Sequence, residues 1–157
     1  MKDAQTGGES HSLQIDREAL AAMSRNLEAP GEELPLLVTG NSMVPFLLNR
    51  RSTVFLVREP DYVPRVGDII LCRRIDGAYI LHRIHKIRKD GVLILNGDAQ
   101  RWTELILPQQ VCCRVSHFVR TKRDIRTDSR SYRFCRWASP VARRCGVRLL
   151  LLAPHSL

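Results

Sequence analysis

Long apolar runs are the first thing this sequence lacks. No stretch approaches the ~20 apolar residues needed to span a bilayer. Residues 1–12 are polar and hold no apolar core of a secretory signal. These absences speak against a helical membrane protein and lead to the expectation of a cytoplasmic protein, at most peripheral to a membrane. No Cys-x-x-Cys occurs, and the five cysteines (Cys72, Cys112, Cys113, Cys135 and Cys145) are odd in number. That fits a reducing compartment better than a disulfide framework, and no metal-ligand spacing is present. Acidic residues are scarce in one region only. Residues 114–157 hold eleven Lys and Arg against Asp124 and Asp128, whereas residues 1–113 hold fourteen of each sign. The net charge of +9 therefore lies wholly in the last 44 residues. A basic tail on a neutral body points to an anionic partner, either lipid headgroups or nucleic acid.

What is present reads as one domain with extensions. The chain has 157 residues, 44% of them apolar and 26% charged, the proportions of an ordinary soluble protein. Residues 1–12, with Gly7-Gly8 among polar neighbours, are expected to lack fixed structure. Residues 13–28 predict a helix, with Leu13, Leu20, Met23 and Leu27 on one face and Pro30-Gly31 ending it. From Leu34 the pattern turns to strands, over 34–39, 52–57, 69–75, 78–88, 92–95 and 110–119. Turn residues separate them: Gly67-Asp68, Asp76-Gly77, Lys89-Asp90-Gly91 and Asn96-Gly97-Asp98. Short turns between strands predict an antiparallel, mostly β body. In the tail, a short helix is expected over 131–138. Ser139-Pro140 then opens another, with Val141, Cys145, Leu149 and Leu152 on one face beside Arg143, Arg144 and Arg148. That is the pattern of a basic amphipathic helix lying in a membrane interface; a basic tail packing its leucines on the body fits equally well. The resulting division is 1–33, 34–120 and 121–157.

Chemistry concentrates at residues 39–47, Thr-Gly-Asn-Ser-Met-Val-Pro-Phe-Leu. Ser42 follows a strand and is flanked by Gly40 and Pro45, which hold it on a stiff turn. A serine hydroxyl becomes a nucleophile when a base comes within ~3 Å and N–H groups receive the oxyanion. A base is offered by Leu81-His82-Arg83-Ile84 in a later strand. Alternation puts Ile80, His82 and Ile84 on one face and Leu81, Arg83, His85 and Ile87 on the other. His82 thus sits among apolar neighbours, where an unpaired imidazole is costly, so a hydrogen-bond partner is expected. Asp98 reads as an Asx-turn residue or as a member of the site, Asp68 as a turn residue, and Trp102 as a lid or a surface aromatic.

Four blocks come in a telling order: Gly40-Asn41-Ser42-Met43-Val44-Pro45, Gly67-Asp68-Ile69-Ile70-Leu71, Leu81-His82-Arg83-Ile84 and Asn96-Gly97-Asp98. Their order and spacing resemble the signal peptidase I / LexA-like serine peptidases, over about residues 34–120. The resemblance implies a mostly β fold of strongly bent antiparallel sheets. It implies Ser42 as nucleophile and His82 as general base, where bacterial signal peptidases and LexA-type repressors carry Lys. The endoplasmic-reticulum type of signal peptidase has a similar Val-His-Arg-Val block. It further implies Asp98 as third member, and Gly40, Asn41 and Met43 as the nucleophile and oxyanion loop, with Met43 near the substrate groove. Gly40 stands where typical signal peptidases carry an oxyanion-hole Ser. The N-terminal membrane helix of those enzymes has no counterpart here, and Ala29-Pro30-Gly31 interrupts the pair at which LexA-type proteins cleave themselves.

The expected function is a small stand-alone serine endopeptidase that hydrolyses a peptide bond in a leader or precursor polypeptide. No metal and no cofactor are implied. The expected partners are the polypeptide substrate and an anionic membrane surface met by residues 121–157, with nucleic acid less favoured. The rival expectation is a non-catalytic β-module that binds membrane or nucleic acid through its basic tail.

Overall fold

The computed structural model describes residues 32–120, 122–130 and 132. The helices expected over 13–28 and from 139 onward lie outside the described residues, as does most of 131–138. Among the described residues are eight strands: β1 Glu33–Leu37, β2 Ser52–Val57, β3 Ile69–Arg73, β4 Tyr79–Ile87, β5 Leu93–Asn96, β6 Glu104–Ile106, β7 Val111–Arg120 and β8 Arg123–Arg126. They form an antiparallel sheet in the order β1-β2-β7-β3-β4-β5-β6, with β8 paired to β7. One 3₁₀ turn, Pro108–Gln110, leads into β7. Among the described residues no helix is long and apolar enough to cross a membrane.

Strong local preference accounts for the central strands. β2 is Ser-Thr-Val-Phe-Leu-Val, rich in β-branched and aromatic residues. β3 and β4 form a hairpin over Asp76-Gly77, where the Asp76 carboxylate accepts the Ala78 N–H at 2.9 Å. Both central strands are buried on two faces. Ile69, Leu71 and Leu81 enter one apolar cluster with Met43, Phe46 and Leu47; Ile70, Ile80 and Ile84 enter a second with Leu93 and Leu95. A sheet covered on both sides fixes its register tightly, because a one-residue slip would exchange the two faces.

Two features depart from the expected pattern. The β4–β5 register shifts between Ile84 and Lys86, so His85 is an extra, bulged residue. Beyond it the alternation reverses, and Ile87 packs with the Ile84 cluster rather than on the Leu81 face. β6 and β8 were not expected. Three residues give β6 no measurable period, and β8 (Arg-Asp-Ile-Arg) has a single apolar residue.

Candidate active site

The loop between β1 and β2 is held from beneath by its own apolar residues. Met43, Phe46 and Leu47 are buried in the first cluster, which leaves Ser42 half-buried and Asn41 exposed above them. Gly40 has φ +94°, the left-handed region that favours glycine, and its N–H donates to Asn49 Oδ1 at 3.1 Å. The Val44–Pro45 peptide is cis. On β7, Arg120 Nη1 donates to the Pro45 carbonyl at 2.7 Å. On the other side, the Ala99 N–H donates to the Ser42 carbonyl at 2.8 Å. A Cβ on Gly97 would lie 2.7 Å from that same carbonyl oxygen, so only glycine allows this approach. The serine loop is therefore clasped to the segment after β5. Among the described residues, the backbone N–H groups of Ser42 and Met43 donate to nothing.

Three of the four sequence blocks meet on Arg83 of β4, and Phe46, the residue after the first block, lies against it. Its Nε and Nη2 donate to Asp98 Oδ1 and Oδ2 at 2.8 and 2.7 Å, a bidentate pair. Its Nη1 donates to the Gly67 carbonyl at 3.0 Å and to the Tyr132 hydroxyl. Its guanidinium lies 4.8 Å above the Phe46 ring centroid. Burial alone would lower the pKa of Arg83; Tyr132 and Asp98 outweigh it and raise the value above the ordinary one. Asp98 thus stands as the partner of Arg83. No hydrogen bond joins it to His82, and it acts there only through its charge.

His82 lies on β4 opposite Ile70, one residue from Arg83, and is 4% exposed. Among the described residues its Nδ1 has no hydrogen-bond partner, contrary to the expectation from its apolar setting. Facing that nitrogen is Glu104 Oε1 of β6, at 3.7 Å, beyond hydrogen-bond range. Glu104 Oε2 is 3.5 Å from Arg74 Nε, which also lies 3.6 Å from Asp76 Oδ2. Burial pushes the His82 pKa down to about 4; the charge of Asp98 pulls it back up, and Arg74 lowers it further. The imidazole is therefore neutral at pH 7. No hydrogen bond joins Ser42 and His82 in this state.

The remaining candidates fall into place more simply. Asp68 Oδ2 accepts the Tyr62 hydroxyl at 2.7 Å and the Arg65 N–H at 3.0 Å, a turn-holding role. Trp102 is a surface aromatic, more than half exposed. Two residues were given no role by the sequence reading. Arg83 carried a signal, a charge inside an otherwise apolar strand. Glu104 carried none, since it lies in a three-residue strand that no motif marks. No protein-family model matches the chain, and no curated protein matches it significantly.

Proposed function

We propose that this chain is a serine endopeptidase of the signal-peptidase-like type, hydrolysing a peptide bond in a leader or precursor polypeptide. The observation that carries the reading is a buried, neutral imidazole one residue from Arg83, whose partner Asp98 lies in the segment clasped to the serine loop. The neutral form is the one a general base requires. His82 takes the Ser42 hydroxyl proton as Oγ attacks the scissile carbonyl. The free N–H groups of Ser42 and Met43 are the donors on hand for the oxyanion. His82 then returns the proton to the leaving amine, and water releases the acyl group from Ser42. Glu104 faces the Nδ1 nitrogen at 3.7 Å and, together with the charge of Asp98, stabilises the imidazolium as it forms. Catalytic hydrogen bonds are often long or unformed before substrate binds, and this mechanism requires Ser42 and His82 to meet and the 3.7 Å His82–Glu104 gap to close in the complex. Asp98 acts through Arg83, which fastens the serine loop from below. The eight-stranded antiparallel sheet suits the bent-sheet fold that the four-block resemblance implies.

Ser42→Ala and His82→Ala test this directly on peptides cut by the wild type. Each is expected to lower turnover by about a thousandfold or more, with the unfolding transition preserved. Wild-type turnover in either variant would remove the dyad and leave the rival, a β-module binding through its basic tail.

A further inference from the structure

Tyr132 lies beyond the last strand, yet it is 3% exposed and packs in the first apolar cluster. The chain is led there from β7. β8 pairs with β7, Ile125 opposite Phe118, and the N–H and hydroxyl of Thr127 both donate to the Ser116 carbonyl, at 3.1 and 2.6 Å. Ser129 Oγ then accepts the Tyr132 N–H at 3.2 Å. The phenol ring lies edge-on to two others. Its centroid is 6.1 Å from that of Phe46 in the serine loop and 6.0 Å from that of Phe118 on β7. The Arg83 guanidinium sits 5.5 Å from the Tyr132 centroid and 4.8 Å from that of Phe46, and its Nη1 donates to the Tyr132 hydroxyl.

We propose that Tyr132 is a positioning residue of the candidate active site: wedged against Arg83 and Phe46, it sets where the serine loop stands. The charge of Arg83 does not require it, since Asp98 already matches that charge with two hydrogen bonds. What Tyr132 adds is a wall. Two rings and a guanidinium in mutual contact form a packed set, in which no member shifts alone. Phe46 is four residues from Ser42, across a tight turn in which the Leu47 N–H donates to the Met43 carbonyl at 2.9 Å. β7 grips the neighbouring residue too, through Arg120 on the Pro45 carbonyl. Without the Tyr132 ring, Phe46 is free to sink into the vacated space and to draw Ser42 after it. A misplacement of about 1 Å at a reacting group costs on the order of a hundredfold in rate. The effect on rate rests on the peptidase reading; the hold on the loop does not.

Amide hydrogen exchange of the full chain reads the hold directly. The Val44 and Leu47 N–H groups are bonded within the loop, to the Asn41 and Met43 carbonyls, and report its closure. Tyr132→Leu is expected to speed their exchange by about tenfold or more, while β3 and β4 exchange as in the wild type. Tyr132→Phe keeps the ring and is expected to stay within about threefold of the wild type. On peptides cut by the wild type, kcat of Tyr132→Leu should fall by about tenfold or more with KM within about twofold, and Tyr132→Phe should restore most of it. Unchanged loop exchange in Tyr132→Leu would overturn the proposal. So would exchange raised equally through the whole sheet, the mark of a core residue and no more, or faster loop exchange with wild-type kcat. The wild type alone gives a check that needs no variant to fold: across a urea series the Val44, Leu47 and Tyr132 amides should open as one unit, and a Tyr132 amide that opens separately would also overturn it. If Ser42→Ala keeps wild-type turnover, the peptidase reading falls by itself, and loop exchange decides the role of Tyr132.

Discussion

His82 and Arg83 are neighbours in sequence and opposites in design. Both are polar groups buried on β4. Arg83 has its charge matched by the bidentate Asp98, its Nη1 donors used by Gly67 and Tyr132, and an aromatic face beneath it. His82 has an orphaned Nδ1, a carboxylate held just out of reach, and a pKa depressed to about 4. A saturated group has one low-energy arrangement and serves as an anchor. An unsaturated one is costly at rest and has capacity left for a proton or a substrate. The strand thus carries a fixed side, where Arg83 is tied to Asp98, and a reactive side, where His82 meets Glu104 of β6.

The fixed side breaks most severely. Asp98→Ala leaves the Arg83 charge buried without its partner, and losing one half of such a pair costs about 3–5 kcal/mol. Urea unfolding at neutral pH should show that loss. The double variant Arg83→Met, Asp98→Ala should recover part of it, because the stranded charge is gone. A loss below about 1 kcal/mol in the single variant would mean that Arg83 is not the anchor described.

The reactive side responds to acid. The folded pKa of His82, about 4, lies below its ordinary value of 6.5. Between those values the unfolded chain binds the proton and the folded chain does not. The stabilising contribution is therefore full above pH 6.5 and is lost as pH falls toward 4, on the order of 3 kcal/mol in all. His82→Leu removes the titration and the orphaned nitrogen together. The difference in unfolding free energy between wild type and His82→Leu isolates this residue from the carboxylates, which also titrate there. It should change across pH 6.5 to 4 and be flat above. A difference flat throughout would place His82 in water rather than in the core.

How much of this was legible depended on chain-local signal. The central strands were readable because Thr53–Val57 and Ile69–Cys72 are β-formers bounded by turns, and β2 agrees end to end. The pattern on β4 was readable only as far as Ile84. A bulge adds a residue without changing composition, so the reversal at His85 left no trace in the alternation. At the site, Ser42, His82 and Asp98 were marked by their motifs, yet their pairing was not. Two candidate partners for Asp98 stood side by side on β4, and the choice of Arg83 over His82 is set by which sheet face the loop after β5 reaches. Glu104 arrives opposite Leu95 through β5–β6 pairing, a relation between short strands that sequence periodicity does not encode. The apolar setting of His82 led to the expectation of a hydrogen-bond partner, which the structure does not bear out: the nearest carboxylate, Glu104, is held at 3.7 Å.

The smallest expected effect on stability is also the sharpest test of the contrast. Glu104→Gln keeps the shape of the side chain and removes its charge. Arg74 keeps Asp76 at 3.6 Å, and the pair it loses is partly exposed, so the fold should change by less than about 1 kcal/mol. Catalysis should respond quite differently. If Glu104 stabilises the imidazolium, its charge matters only when His82 is protonated, which happens on the way to the transition state. On the peptidase reading, kcat should then fall by about tenfold or more with KM unchanged. Asp98→Asn is the matched comparison. It weakens the Arg83 anchor, so it should lower stability first and alter kcat and KM together as the serine loop loosens. If Glu104→Gln keeps wild-type kcat while Asp98→Asn alone lowers it, the two sides of β4 exchange roles, and Asp98 becomes the third member despite its bond to Arg83.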